Sequence, residues 1–161
     1  MSDLIGFNPS MIAFEGDYTA EEVENFILKF EEFTEALNLP RVEFETSHKF
    51  CNGVYAREIR IPKGTLITGK YHKHENLNIL SKGKIISLSG LGREVLEAPH
   101  TGVYPPGKKM FLVQEDCVWT TLVKTDKTDL DEIDKEFIAE QIEVEKVEEI
   151  KSDKKHIGGE K

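Results

Sequence analysis

Apolar positions recur at three- and four-residue steps in two stretches of the chain. In the first, Val23, Phe26, Ile27, Phe30, Phe33 and Leu37 form one stripe, with Glu21, Glu24, Glu31, Glu32 and Glu35 between them. That pattern predicts an amphipathic helix whose glutamates face water. Thr19 followed by Glu22 is a capping box at its start, and Pro40 ends it. Three phenylalanines on one stripe need a surface, either this protein's own sheet or another subunit. In the second stretch, Leu130, Ile133, Phe137 and Ile138 predict a short helix from about 129 to 140.

Between these helices the period changes. Short runs rich in Val, Ile, Leu, Thr and Tyr are divided by Gly and Pro, and they predict strands at 41–47, 54–61, 65–71, 76–81, 84–88, 93–97, 101–104, 109–114 and 117–124. The separators are Asn52-Gly53, Pro62-Lys63-Gly64, Lys82-Gly83, Gly90-Leu91-Gly92, Pro99 and Pro105-Pro106-Gly107. Many short strands with frequent turn signals predict a sandwich or barrel. Three segments follow. Residues 1–40 are an extended arm, with Gly6, Pro9 and Gly16, and the first helix. Residues 41–125 are the β-barrel, and residues 126–161 are a short helix with an acidic, mobile tail.

Composition narrows the classes. The chain has 161 residues and a net charge of -9, a length that favours one domain with tails. No apolar run reaches the ~20 residues of a membrane helix, and the first residues lack the pattern of a secretory signal. Cys51 and Cys117 are too few for a disulfide framework or a four-thiolate zinc site. A reducing cytoplasm is the expected compartment, and no membrane partner is expected.

The distribution of charge says more than its sum. From Gly53 to Val113 there are ten basic residues (Arg57, Arg60, Lys63, Lys70, Lys73, Lys82, Lys84, Arg93, Lys108, Lys109) and four acidic ones (Glu58, Glu75, Glu94, Glu97), hence +6. A basic middle between acidic ends draws a small anion, whereas the negative total disfavours long nucleic acid. No hydrolase elbow is present. Gly64 to Tyr71 imitates the spacing of a phosphate-binding loop, but Tyr71 stands where the magnesium-binding hydroxyl belongs, and the context is strand rather than helix.

Candidate chemistry concentrates between Ile61 and Ile85 and between Tyr104 and Val113. His72 and His74 are two apart, so a regular strand turns both imidazoles to one side. Lys70, Asn76 and Asn78 extend that row of donors, which suits phosphate or carboxylate oxygens. Arg57, Arg60, Lys108 and Lys109 add positive charge at the barrel mouth. Tyr55, Tyr71, Tyr104, Phe111 and Trp119 are available to stack on a ring, or to fill the core.

The segments Pro62-x-Gly64, His72-x-His74, Gly83 and Pro105-x-Gly107 together resemble the two motifs of the cupin family, over roughly residues 50–124. The stretch from Gly53 to Val123, with LDEIDKEFIA after it, also looks like small cupin-like proteins encoded by tailed bacteriophages. The resemblance implies a mainly β, jelly-roll barrel and a homo-oligomer, in the host cytoplasm if the chain is viral. It also implies a metal site, but the departures weaken this. The family's glutamate falls at Asn78 or Asn76, and the histidine of its second motif falls at Met110. With two imidazoles left, the expectation is a non-catalytic protein with no cofactor that holds a small anion: a nucleotide, sugar phosphate or carboxylate. A phage version of that function sequesters a nucleotide signal of host defence, such as a cyclic nucleotide. The alternatives are a divalent transition-metal enzyme (oxygenase, isomerase or lyase) built on His72 and His74, with His100 or Glu75 as further candidates, and a structural protein of a virion.

Overall fold

A computed structural model describes residues 18–39 and 43–139. The expected N-terminal arm and most of the acidic tail lie outside the described residues. The order is α1 (Ala20–Ala36), β1 (Glu45–Cys51), β2 (Val54–Ile61), β3 (Leu66–Thr68), β4 (Tyr71–His72), β5 (Asn76–Ser89), β6 (Gly92–Glu97), β7 (His100–Tyr104), β8 (Met110–Lys124), α2 (Leu130–Phe137) and β9 (Ile138–Ala139). The fold is mainly β and of the jelly-roll type, with a helix before it and a short helix after it.

The capping box forms as the sequence predicts. Thr19 N–H donates to Glu22 Oε2 at 2.8 Å, and Glu22 N–H donates to Thr19 Oγ1 at 3.2 Å. The helix ends before Pro40: its last helical residue is Ala36, and Asn38 takes a left-handed φ of 50°, a conformation asparagine tolerates. The apolar stripe docks on the protein's own sheet. Val23 and Ile27 pack against Ile86, Leu88 and Met110, with Phe26 and Phe30 at the margin, while Phe33 stays 36% exposed. One glutamate departs from the expected solvent face. Glu24 is buried, and its Oε1 lies 3.0 Å from where a Cβ on Gly107 would sit.

All strand pairs in the seven-stranded sheet are antiparallel, in the order β1-β2-β8-β5-β6, with β3 also on β8 and β7 also on β5. Two expected strand breaks are absent. The runs 76–81 and 84–88 form one strand, and so do 109–114 and 117–124, because register shifts between Leu80 and Ile85 bend β5 without ending it. Gly83 is the residue that permits the bend. Its φ is 93°, and a Cβ there would overlap Asp116 O and sit 2.8 Å from Cys117 Cα. The first half of β5 pairs with β7 and the second half of β8; its second half pairs with β6 and the first half of β8. Both long strands therefore serve both walls, and the sheet wraps around one interior.

The expected first strand, 41–47, is displaced to 45–51. Asn52-Gly53 is the hairpin turn, so pairing begins at Cys51↔Val54 and runs back to Glu45↔Arg60. The run Thr46-Ser47-His48-Lys49 hides this strand in the sequence, because an edge strand exposed at every position but Ser47 needs few apolar residues.

Side chains alternate between two cores. Ile59, Ile61, Leu80, Ile85, Leu96, Tyr104, Phe111, Val113, Cys117 and Trp119 fill the barrel interior. Ile86, Leu88 and Met110 face α1.

Candidate functional site

One end of the interior is polar. Asn76 and Asn78 lie on the inward face of β5, and exposed Leu77 marks the outward face between them. Asn78 is fully buried. Its Nδ2 donates to Asn76 Oδ1 at 2.6 Å, and its Oδ1 accepts from Trp119 Nε1 at 3.1 Å and Thr121 Oγ1 at 2.8 Å. Lys109 Nζ donates to Asn76 Oδ1 at 2.9 Å and stands 4.7 Å from the centre of the Tyr104 ring, within reach of a cation–π attraction.

Lys109 is 8% exposed. Among the described residues no carboxylate pairs with it. Burial pushes its ammonium down to about 8, and the charge of Arg57 pushes the same way. Arg57 shares the inward face of β2 with Tyr55 and Ile59, and its charge acts on Tyr55, His72 and Lys109. His72 is half-buried; desolvation first, then Lys109 and Arg57, hold its imidazole down at about 3. At neutral pH His72 is an uncharged ring that can donate from one nitrogen and accept at the other. Asn76, Asn78, His72, Arg57, Lys109 and Tyr104 therefore form one inward group that carries the charges of Arg57 and Lys109.

The remaining candidates go elsewhere. Strand β4 stops at His72, so the expected alternation breaks, and exposed His74 packs edge-on against Phe137 at 5.8 Å between ring centres. The two histidines do not share a wall. Lys70 pairs with Asp134 of α2 at 3.2 Å. Arg60 turns outward to Glu58 at 3.3 Å. Lys108 lies under α1, paired with Glu31 at 2.5 Å. Tyr71 pairs with Ala139 in the small β4–β9 sheet. Met110, read as the position of the second-motif histidine, faces α1 rather than the interior, because Lys109 and Phe111 take the inward positions on either side of it.

The C-terminal segment straps over this end. Tyr71–His72 pair with Ile138–Ala139, Lys73 N–H donates to Phe137 O at 2.8 Å, and Lys73 Nζ donates to Lys135 O at 3.0 Å. Beside the strap, on the outer face, lies a depression of about 330 Å³ lined by His74, Leu77, Val103, Leu122 and Phe137.

The donor set does not fit the divalent ion that the family resemblance implies. An ammonium occupies the position next to Asn76, two amides stand where a carboxylate would, and one imidazole is turned away. Among the described residues no three of His, Cys, Asp and Glu converge. His100, considered as a third nitrogen, folds over Gly102, its Nε2 3.1 Å from where a Cβ there would lie.

Sequence reasoning missed Thr121, which donates to Asn78 Oδ1. The signal was available: Thr121 lies two residues beyond Trp119, and so on the same face of β8. Among the described residues no helix is long and apolar enough to cross a membrane.

No family model and no curated protein matches the chain. Solved structures do resemble it. A cupin-2 domain protein from Shewanella frigidimarina is 11% identical, over 58% of this chain and 92% of that one, with a TM-score of 0.43. KdgF from a Halomonas species is 14% identical, over 56% and 88%, with a TM-score of 0.45. A cupin-2 domain from Rhodospirillum rubrum is 15% identical, over 56% and 70%, with a TM-score of 0.46.

Proposed function

We propose that this protein is a non-catalytic binding protein that holds a small anion inside the polar end of its barrel. The observation that carries this reading is Lys109: a buried ammonium with Arg57 nearby and an amide oxygen, not a carboxylate, as its hydrogen-bond partner. Two like charges brought to one interior, that of Lys109 desolvated, are costly by themselves. A phosphate or carboxylate between them recovers that cost through charge-assisted hydrogen bonds. Neutral His72 supplies a further donor, and the Asn76–Asn78 pair, fixed by Trp119 and Thr121, positions Lys109.

The ligand class is a nucleotide, sugar phosphate or carboxylate. Sequestration of a host nucleotide signal by a phage protein is a version of this reading that needs no catalysis. A thermal-shift screen with inorganic phosphate, sugar phosphates and cyclic nucleotides tests it. The expected result is a rise in Tm with at least one anion that disappears in Lys109→Met. Absence of stabilisation by every anion overturns the reading.

A further inference from the structure

Among the described residues four buried side-chain atoms have no hydrogen-bond partner: Ser47 Oγ, Ser87 Oγ, Glu94 Oε2 and Tyr104 Oη. Three of them belong to one region of the interior. Ser87 and Glu94 are directly opposite each other on β5 and β6, so their side chains share a face. That face is the inward one, since Ile85 and Leu96, each two residues away, belong to the barrel core. Tyr104 belongs to the same core and is fully buried, as is Ser87. The Glu94 charge raises the pKa of the Tyr104 hydroxyl, second to burial. The carboxylate is thus within electrostatic reach of a hydroxyl that it does not hydrogen-bond.

Buried polar groups are almost always paired, and an unpaired one costs about 1–3 kcal/mol. Three that face one interior can be satisfied by a shared partner. Two hydroxyls and one carboxylate oxygen together both donate and accept. That combination suits alcohol groups, which also do both. An anion alone would be repelled by Glu94. Tyr104 joins this region to the cationic one, because its ring lies under Lys109 Nζ while its hydroxyl belongs to the unpartnered set. Trp119, against Tyr104 at 5.9 Å and Phe111 at 4.6 Å between ring centres, adds an apolar wall.

We infer that Ser87, Glu94 and Tyr104 form a hydroxyl-binding subsite, so that the ligand of the barrel is a polyhydroxylated anion, with its charged end at Lys109 and its hydroxyl groups at this subsite. The inference rests on the anion-binding reading for the charged end only. It narrows the ligand class to sugar acids and sugar phosphates and disfavours simple fatty or aromatic acids.

Calorimetric titration with three six-carbon probes tests it: gluconate (anion with hydroxyls), hexanoate (anion without) and glucitol (hydroxyls without charge). Gluconate is expected to bind at least about tenfold tighter than hexanoate. Tyr104→Phe, and independently Ser87→Ala, are expected to remove most of that preference, and Ser87→Ala, outside the cationic group, is expected to leave hexanoate binding unchanged. Melting curves establish that each variant is folded. Equal binding of gluconate and hexanoate, or a preference that survives in both variants, overturns the subsite and leaves the anion reading standing. If neither anion binds, the anion reading falls. Glucitol binding that is lost in Tyr104→Phe would then still support the subsite, and no glucitol binding would overturn it too.

Discussion

Lys109 donates a 2.9 Å hydrogen bond to Asn76 Oδ1 with both side chains inside the barrel, 8% and 4% exposed. The cupin resemblance asks for a glutamate at Asn76 or Asn78. A carboxylate at Asn76 would neutralise the ammonium. The amide satisfies one of its protons and leaves its charge, and the proposed anion site rests on that difference.

Replacing Lys109 separates binding from folding. A buried charge with no opposite charge is a desolvation cost, and Asn76 Oδ1 keeps its bond from Asn78 in the variant. Lys109→Met is therefore expected to match the parent in stability or exceed it by about 1 kcal/mol, while losing stabilisation by phosphate. Urea unfolding with and without phosphate measures both. A loss above about 2 kcal/mol without ligand would make Lys109 a structural residue instead.

Anion binding should weaken in alkali. The ammonium of Lys109 sits at about 8 in the folded protein, so above that pH the site loses a charge and affinity should fall up to tenfold per pH unit. Stability runs the other way. Between about 8 and 10.5 the unfolded chain keeps a proton that the folded state has released, so stability without ligand rises with pH there. Phosphate titrations at pH 7, 8 and 9 check the first part.

His72 should make the protein sensitive to acid. Its folded value of about 3 lies below the ordinary 6.5, so between these values the unfolded state binds the extra proton and stability falls as pH drops. At pH 5 the loss is about 1–2 kcal/mol relative to pH 7.5. His72→Gln should lack that component, which denaturant unfolding at the two pH values would show as a smaller difference.

Gly83→Ala should be among the most damaging single substitutions. The added methyl meets the backbone of Asp116 and Cys117, and the positive φ disfavours any side chain. A loss of about 2–4 kcal/mol is expected. Gly64→Ala, also at positive φ but with no atom within 4 Å of the added methyl, should cost only about 1 kcal/mol. Parallel melting curves compare them.

The α2 strap is held mainly by Ile133, the buried residue of that helix, since its ion pairs with Lys70 and Lys127 are exposed and each contributes under about 1 kcal/mol. Ile133→Ala should release the strap by about 2–3 kcal/mol. Hydrogen exchange is expected to speed up at the Lys73 amide, which bonds to Phe137 O, with the amides of β5 and β8 unchanged. Uniform acceleration would show that the strap unfolds only with the barrel.

Both helices, the mainly β class and most strand positions were legible from local pattern. A 3.6-residue stripe, a capping box and period-two alternation are properties of neighbours in sequence, and the Thr19–Glu22 cap forms from residues three apart. Gly83 was legible as a special position but not as a bend within one strand, because a turn and a bulge ask the same φ of the same residue. The histidine pair failed for a related reason. Two-residue spacing gives a shared face only while the strand lasts, and β4 ends at His72 when Ile138 and Gly107 take its backbone bonds.

What the chain determined by itself was the set of groups available: two histidines at the motif positions, a basic middle, and amides where the cupin resemblance asks for a carboxylate. Tertiary structure decided which of these groups meet. Lys108 and Lys109 are adjacent in sequence, yet one is paired with α1 and the other is buried beside Asn76, because the pleat of the backbone sends neighbours to opposite faces. Ser87, Glu94 and Tyr104 carry no motif at all. Only the wrapping of β5, β6 and β7 around one interior makes them neighbours, and burial, which removes water as a partner, makes their unpaired atoms matter.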